Sequence, residues 1–176
     1  DHKGADFLVW TTTPWTLRSN AAVAVNPKET YVKIKVGNSD DKSEGGKSDN
    51  LILAKPRLEV IRDDYTIEEE MQGTDLEGIE YEPLYNFFEF DEKAYFVTLG
   101  DFVTMEDGTG IVHIAPAFGE DDYQVGLKYK LPVLQAVGKN GLFKENVTLF
   151  AGKNFKEADP EIMNELKSRG RLYRKE

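Results

Sequence analysis

Residues 10–17 read Trp-Thr-Thr-Thr-Pro-Trp-Thr-Leu, and this run is the most informative feature of the chain. Three consecutive threonines place their hydroxyls on a stiff β-branched stretch, and Pro14 fixes the backbone directly after them. A single threonine would be ordinary on an edge strand, where an exposed hydroxyl costs nothing. Three of them followed by Pro-Trp-Thr instead predict hydrogen-bonding groups that are held in place for a polar ligand.

The composition limits the classes of function. The chain has 176 residues, a net charge of -10, no cysteine and two histidines. The absence of cysteine excludes disulfides and thiolate metal sites and favours a cytoplasmic location. No stretch has the length or pattern of a membrane span or a signal peptide. A protein that binds the nucleic-acid backbone by itself should have a positively charged surface. The acidic balance therefore predicts that any nucleic-acid contact is small or supported by another part of a larger protein.

Hydrophobic periodicity predicts short strands and few helices. Strands are expected at residues 7–10, 21–25, 31–36, 51–54, 95–99, 110–114 and 133–137. Helices are expected at 56–62, at 121–130 and from Asp159, as a capping residue, to Gly170. Residues 37–50 are polar and glycine-rich and are expected to form a flexible hairpin loop. Because strands and helices do not alternate regularly, we expect a mainly β fold in a single domain over 1–176. Its core should be a closed or nearly closed β-barrel with peripheral α-helices.

Two further stretches carry residues suited to chemistry. Gly108-Thr109-Gly110-Ile111-Val112-His113-Ile114-Ala115-Pro116 places one histidine on an apolar strand, where the simplest reading is a core histidine bonded to a backbone carbonyl. Ala117-Phe118-Gly119-Glu120-Asp121-Asp122-Tyr123 gathers three acids at a helix start. These acids would complement the helix dipole, and an ionised carboxylate among them would also suit a ligand ammonium group.

Hydroxyls, one imidazole and one carboxylate could line a common pocket. The sequence shows no Ser-His-Asp order, no paired general acid and base, and no metal-ligand spacing. We therefore expect no cofactor, and an enzyme with this set would position a water molecule rather than form a covalent intermediate.

Two hallmarks resemble the editing (CP1) domain of isoleucyl-tRNA synthetases, a class I family. One is the run 10–17 with Asn20-Ala21-Ala22-Val23-Ala24-Val25-Asn26-Pro27 after it, and the other is GTGIVHIAPAFGEDDY at 108–123. Valyl and leucyl relatives are expected to carry Thr-Thr-Arg-Pro, whereas Thr13 stands at the arginine position here. The resemblance covers nearly the whole chain. It implies a β-barrel-like domain that is normally inserted into a Rossmann catalytic domain, whose signature motifs are absent here.

The resemblance also implies roles for individual residues. Thr11, Thr12 and Thr13 would hold the terminal adenosine and the attacking water. Asp122 would bind the α-ammonium group of the amino acid, and His113 would limit the size of its side chain. Further substrate contacts are assigned to Thr16, Asn20, Trp10 and Trp15. The two tryptophans are expected mainly to pack around the threonine turn, with stacking on the adenine as the alternative for one of them.

Two positions depart from the family pattern. Arg18 stands where many members have proline, and Phe118 stands where many bacterial members have histidine. The Phe118 form occurs in other branches of the family, so it does not imply lost function.

The implied activity is hydrolytic proofreading of valyl-tRNA(Ile), with valyl-adenylate as a second candidate substrate. Valine lacks only one methylene of isoleucine, and isoleucyl-tRNA synthetase is itself the standard illustration that one pocket cannot separate such a pair well. The expected partners are the aminoacylated 3′ end of the tRNA and the remainder of the synthetase. The isolated domain is expected to be a monomer that does not contact membranes and does not aminoacylate.

Three alternatives remain open from the sequence. The chain could be the editing domain of a valyl or leucyl enzyme, or a non-catalytic module that binds aminoacyl-adenosine or the CCA end. It could also be a metal-dependent hydrolase that uses His113 with Asp121 and Asp122.

Overall fold

A computed structural model describes residues 4–37 and 50–175 of the chain. Seven strands and two α-helices make up its regular structure, together with 3-10 helices at Pro14–Ser19, Lys55–Val60 and Gly73–Leu76. The strands are β1 Ala5–Phe7, β2 Ala22–Val25, β3 Thr30–Val36, β4 Asn50–Ala54, β5 Tyr65–Gln72, β6 Val97–Leu99 and β7 Ile111–Ile114. The helices are α1 Glu120–Tyr129 and α2 Asp159–Ser168. The polar loop predicted at 37–50 lies almost entirely outside the described residues.

The strands form two mixed sheets. The first has the order β1-β4-β3-β5, with β1 parallel to β4 and the other neighbours antiparallel. The second has the order β6-β2-β7, with β2 parallel to β6 and antiparallel to β7. Strand β2 is buried along its whole length because it is the central strand and carries only alanine and valine. The mainly β class predicted from the sequence is confirmed.

The chain after β1 connects the two sheets. The Leu8 N–H donates to the carbonyl of Ile52 in the first sheet at 3.0 Å, and the Trp10 N–H donates to the carbonyl of Ile111 in the second at 3.3 Å. Trp10 also forms an isolated parallel bridge with Val112. The sequence predicted a closed or nearly closed barrel; over the described residues the ladders form two separate sheets, and no closed barrel is detected. The threonine run follows this crossing directly.

The helices follow the predicted signals with one correction. Gly170 ends α2 with a φ of 65°, and the next N–H, that of Arg171, donates to the Leu166 carbonyl at 2.8 Å. Asp159, however, is the first helical residue and makes no capping bond. Its carboxylate instead accepts a hydrogen bond from the backbone of Trp15, which ties α2 to the threonine turn.

Three element predictions need correction. Residues 133–137 form no strand, and only Val137 makes an isolated bridge, with Phe143. The helix expected at 56–62 is a 3-10 helix at Lys55–Val60. Strand β5 was not predicted, because its consecutive glutamates and almost complete exposure give it no apolar alternation. In the described part of the chain, no helix has the length and apolar character needed to cross a bilayer.

Candidate functional site

The threonine run turns sharply because Pro14 opens the 3-10 helix Pro14–Ser19. The carbonyl of Thr13 accepts two hydrogen bonds from Thr16, one from its N–H at 2.9 Å and one from its hydroxyl at 2.8 Å. The hydroxyls of Thr13 and Thr16 lie 3.0 Å apart. The hydroxyl oxygen of Thr11 accepts the Thr13 N–H at 3.1 Å. The turn thus gathers the hydroxyls of residues 11, 13 and 16 on one side.

His113 joins this group from β7. Its Nε2 lies 2.9 Å from the hydroxyl oxygen of Thr16. The Thr16 hydroxyl lies within hydrogen-bond distance of both Nε2 and the Thr13 carbonyl, so it joins the His113 ring to the threonine turn. The partner of His113 is therefore the side-chain hydroxyl of Thr16 and not the backbone carbonyl expected from the sequence. The other ring nitrogen, Nδ1, is buried and has no hydrogen-bond partner among the described residues.

Burial also determines the charge of His113. Desolvation lowers its pKa from 6.5 to about 4, so the imidazole is neutral at physiological pH.

Asp122 lies in the first turn of α1, on the other side of the site. Its Oδ2 accepts the Ala115 N–H at 2.8 Å, which fixes the carboxylate at the end of β7. Burial raises its pKa, and this effect exceeds the stabilisation by the hydrogen bond. A Cβ added to Gly119 would lie 3.1 Å from Oδ1. Gly119 therefore packs directly on the carboxylate, where a larger residue would crowd it. The neighbouring Asp121 is exposed.

These groups surround a cavity of about 260 Å³. The cavity is lined by Trp10, Thr11, Thr12, Thr13, Thr16, Val112, His113, Ala115, Phe118, Gly119 and Asp122. The sequence did not single out Val112, which precedes His113 on β7, or Ala115, which follows the end of that strand, because neither carries a polar signal. A larger cavity of about 1460 Å³ adjoins it and shares Trp10, Thr11, Thr12 and His113.

Two of the predicted substrate residues lie outside the smaller cavity. Asn20 lines the larger cavity, accepts a hydrogen bond from the Tyr81 hydroxyl and donates to the Ala22 carbonyl at 2.7 Å. Trp15 lines neither cavity and packs against Phe118 and Phe155, with ring centroids 5.0 and 4.5 Å away. Trp15 therefore packs behind the threonine turn, whereas the Asn20 side chain is fixed by Ala22 and Tyr81 at the wall of the larger cavity.

Arg18, which stands where many family members have proline, packs in the interior of the domain. Its side chain is 2% exposed, and its guanidinium carbon lies 4.4 Å from the ring centre of Tyr85 and 4.0 Å from that of Phe150. Cation–π stacking compensates for part of the desolvation of this charge. Arg18 is thus a core residue and does not line either cavity.

The metal-dependent alternative lacks a ligand set. Within residues 4–37 and 50–175, no three side chains of histidine, cysteine, aspartate or glutamate group closely enough to hold an ion.

The hydroxyl of Thr16 is expected to be the main stabilising group of the turn. Thr16→Val keeps the shape but removes the hydroxyl that is hydrogen-bonded to Nε2 of His113 and to the Thr13 carbonyl, and that carbonyl keeps only the Thr16 N–H. We expect a loss of about 1–3 kcal/mol in the free energy of unfolding, measured by urea denaturation. Thr12→Val makes the same change at an exposed threonine and should alter stability by less than about 0.5 kcal/mol. Equal losses in the two variants would contradict this assignment.

The stability should depend on pH through His113. Because its pKa is lower in the folded state, the unfolded chain binds the proton more readily between pH 6.5 and about 4. The stabilisation is fully present above pH 6.5 and is lost as the pH falls through this range. Unfolding free energies measured across it should fall more steeply for the parent than for His113→Leu. Parallel curves would show that His113 titrates normally.

The chain is similar in sequence to known isoleucine--tRNA ligases. The chain is 46% identical over 169 residues to the isoleucine--tRNA ligase of Clostridium acetobutylicum, covering 96% of this chain and 15% of that protein. It is 44% identical over 172 residues to that of Thermobifida fusca, covering 97% of this chain and 15% of the relative. The cytoplasmic isoleucine--tRNA ligase of Arabidopsis thaliana is 38% identical over 204 residues, covering 99% and 17%. The chain therefore spans about one sixth of the length of these relatives. No family model matches it.

Solved structures show the same fold. The crystal structure of GlLeuRS-CP1 matches with a TM-score of 0.63 at 16% identity, over 97% of this chain and 84% of that one. The Plasmodium falciparum cytosolic leucyl-tRNA synthetase editing domain matches with a TM-score of 0.59 at 14% identity, over 91% and 76%. The chain thus belongs to the isoleucyl-tRNA synthetase family and represents the segment that has the editing-domain fold.

Proposed function

We propose that this domain hydrolyses valyl-tRNA(Ile) by holding a water molecule against the ester. The observation that carries the proposal is the hydrogen-bonded group of Thr11, Thr13, Thr16 and His113, which shares a cavity of about 260 Å³ with Asp122. Hydroxyls, a size-limiting ring and a carboxylate are the groups that an aminoacyl ester and its attacking water require.

Asp122 would bind the α-ammonium group of the amino acid. Its Oδ2 accepts the Ala115 N–H, and the carboxylate lines the cavity together with Gly119. A charge-assisted hydrogen bond to an ammonium group would compensate for the desolvation that raises the pKa of Asp122. This contact would orient the ester carbonyl toward the threonines.

The walls beside His113 would select the side chain by size. The neutral imidazole, Val112 and Phe118 present a largely apolar surface. Because His113 is fixed by its bond to Thr16, it cannot easily withdraw to admit the extra methylene of isoleucine. Valine would fit this space and isoleucine would not.

The chemistry would rest on positioning. The exposed hydroxyls of Thr12 and Thr13 and that of Thr11 would hold the water oxygen close to the ester carbon. The water oxygen bonds to that carbon, the ester bond to the ribose breaks, and the water proton passes to the ribose oxygen. The products are free valine and the intact tRNA. Valyl-adenylate would enter the same site as a mixed anhydride.

We place this activity in a longer cytoplasmic synthetase, of which the chain forms one editing domain. The remainder of that protein would hold the body of the tRNA, since the net charge of -10 disfavours extended backbone contacts by this part. The isolated domain, as a monomer, should therefore bind tRNA weakly and deacylate it slowly.

Deacylation of valyl-tRNA(Ile) and isoleucyl-tRNA(Ile) by the purified domain tests the proposal. We expect valine to be released and isoleucine to be retained, with no loss of activity when a chelator is added. Equal rates on both substrates, or no hydrolysis by a folded domain, would contradict it. Binding of a non-hydrolysable valyl-adenosine analogue without turnover would favour the non-catalytic alternative.

A further inference from the structure

The loop of residues 105–110, which leads into β7, is attached to the first sheet through its carbonyl groups. Five of its six carbonyl oxygens accept hydrogen bonds from groups in or next to that sheet. The Arg57 guanidinium donates to the carbonyls of Met105, Glu106 and Gly108. The Ala54 N–H donates to the carbonyl of Thr109, and the Tyr31 hydroxyl donates to that of Gly110.

Arg57 holds the first part of this loop by itself. Its Nε donates to the Gly108 carbonyl at 2.9 Å, and its Nη1 donates to the carbonyls of Met105 and Glu106 at 3.2 Å each. Glu59 pairs with the same guanidinium at 2.7 Å and fixes its orientation. The side chain of Arg57 is only 17% exposed. The planar guanidinium serves several acceptors at once, which a lysine ammonium on a flexible stem cannot reproduce.

The loop in turn contacts Trp10. Gly108 has a φ of 67°, and a Cβ added to it would lie 2.9 Å from three atoms of the Trp10 side chain. The loop backbone therefore packs directly on the tryptophan, in a conformation that favours glycine. Trp10 lines both cavities and immediately precedes Thr11 and Thr12.

We propose that Arg57 is a positioning residue for the site, because it presses the 105–110 loop against Trp10 and so fixes the start of the threonine run. Arg57 does not line either cavity, so its effect passes through Gly108 and Trp10. The kinetic consequence rests on the proposed function, whereas the structural consequence does not.

Fluorine NMR of the chain labelled with fluorotryptophan tests the structural part. The two tryptophans give two resonances, which Trp10→Phe assigns. In Arg57→Gln we expect the Trp10 resonance to shift and broaden while that of Trp15 stays in place. Arg57→Lys should show an intermediate change. The matched control Arg62→Gln alters an exposed arginine of the same segment and should move neither resonance.

Kinetics on valyl-tRNA(Ile) test the consequence for the reaction. We expect kcat to fall about tenfold in Arg57→Gln with little change in KM, because the loss is one of alignment. An unchanged Trp10 resonance, or equal movement of both resonances as in general loosening, would overturn the positioning role. If the Trp10 resonance alone moves but the parent has no activity, the positioning role stands and the proposed function fails.

Discussion

Asp122→Asn is expected to lower kcat/KM for hydrolysis of valyl-tRNA(Ile) by about two powers of ten. A hydrogen bond to a charged group contributes about 1.5–3 kcal/mol, and the neutral amide removes its charge while it can still accept the Ala115 N–H. The loss should therefore come from substrate binding and orientation, with α1 still attached to β7. Steady-state deacylation assays on the parent and the variant measure it.

Asp121→Asn is the matched control for this prediction. Asp121 precedes Asp122 in the same helical turn but is exposed, so its substitution should leave kcat/KM unchanged. Parent-like activity in Asp122→Asn, or an equal loss in both variants, would remove Asp122 from ammonium recognition.

Asp122→Asn should lower the activity but raise the stability of the domain at neutral pH. Burial raises the pKa of Asp122 above its ordinary value of 3.8, so the folded state holds the proton more tightly than the unfolded chain. The parent therefore loses stability as the pH rises through this raised pKa, whereas the asparagine variant does not titrate. Asp122→Asn should be more stable than the parent at neutral pH, and the difference should vanish in acid. A variant less stable than the parent at pH 7 would contradict the direction of this shift.

His113→Ala is expected to reduce the preference for valyl-tRNA over isoleucyl-tRNA by at least about tenfold. Forcing one methylene into a filled space costs about 1–3 kcal/mol, and removal of the imidazole relieves that cost for isoleucine. Isoleucyl-tRNA hydrolysis should therefore appear where the parent shows little. The ratio of kcat/KM values for the two substrates is the measurement.

His113→Leu separates size from hydrogen bonding in this experiment. Leucine fills much of the space of histidine but cannot form a hydrogen bond with the Thr16 hydroxyl. We expect it to retain most of the exclusion of isoleucine while it weakens the threonine turn. Unaltered selectivity in His113→Ala would show that another wall of the cavity excludes isoleucine.

Much of the fold was predictable because its signals are local. The alternation in Thr30–Val36 and the apolar run in β2 follow the periodicity of strands, and Gly170 marks the end of α2. Strand β5 was missed because its stability comes from pairing with β3, which no local pattern records. The segment 133–137 has a strand-like apolar content, yet it packs as irregular chain because it has no continuous partner ladder.

The sequence by itself determined which chemical groups are present and which family they indicate. Two short motifs contain all of the residues that form the site, namely Thr11, Thr13, Thr16, His113 and Asp122. Only the tertiary structure decided how they act on one another. The partner of His113, the hydroxyl of Thr16, is 97 positions away along the chain. Burial on β7 lowers the pKa of His113, and burial at the start of α1 raises the pKa of Asp122. Hydrogen bonding and desolvation depend on which groups meet in space, and pairs so distant in sequence meet only when both sheets have formed.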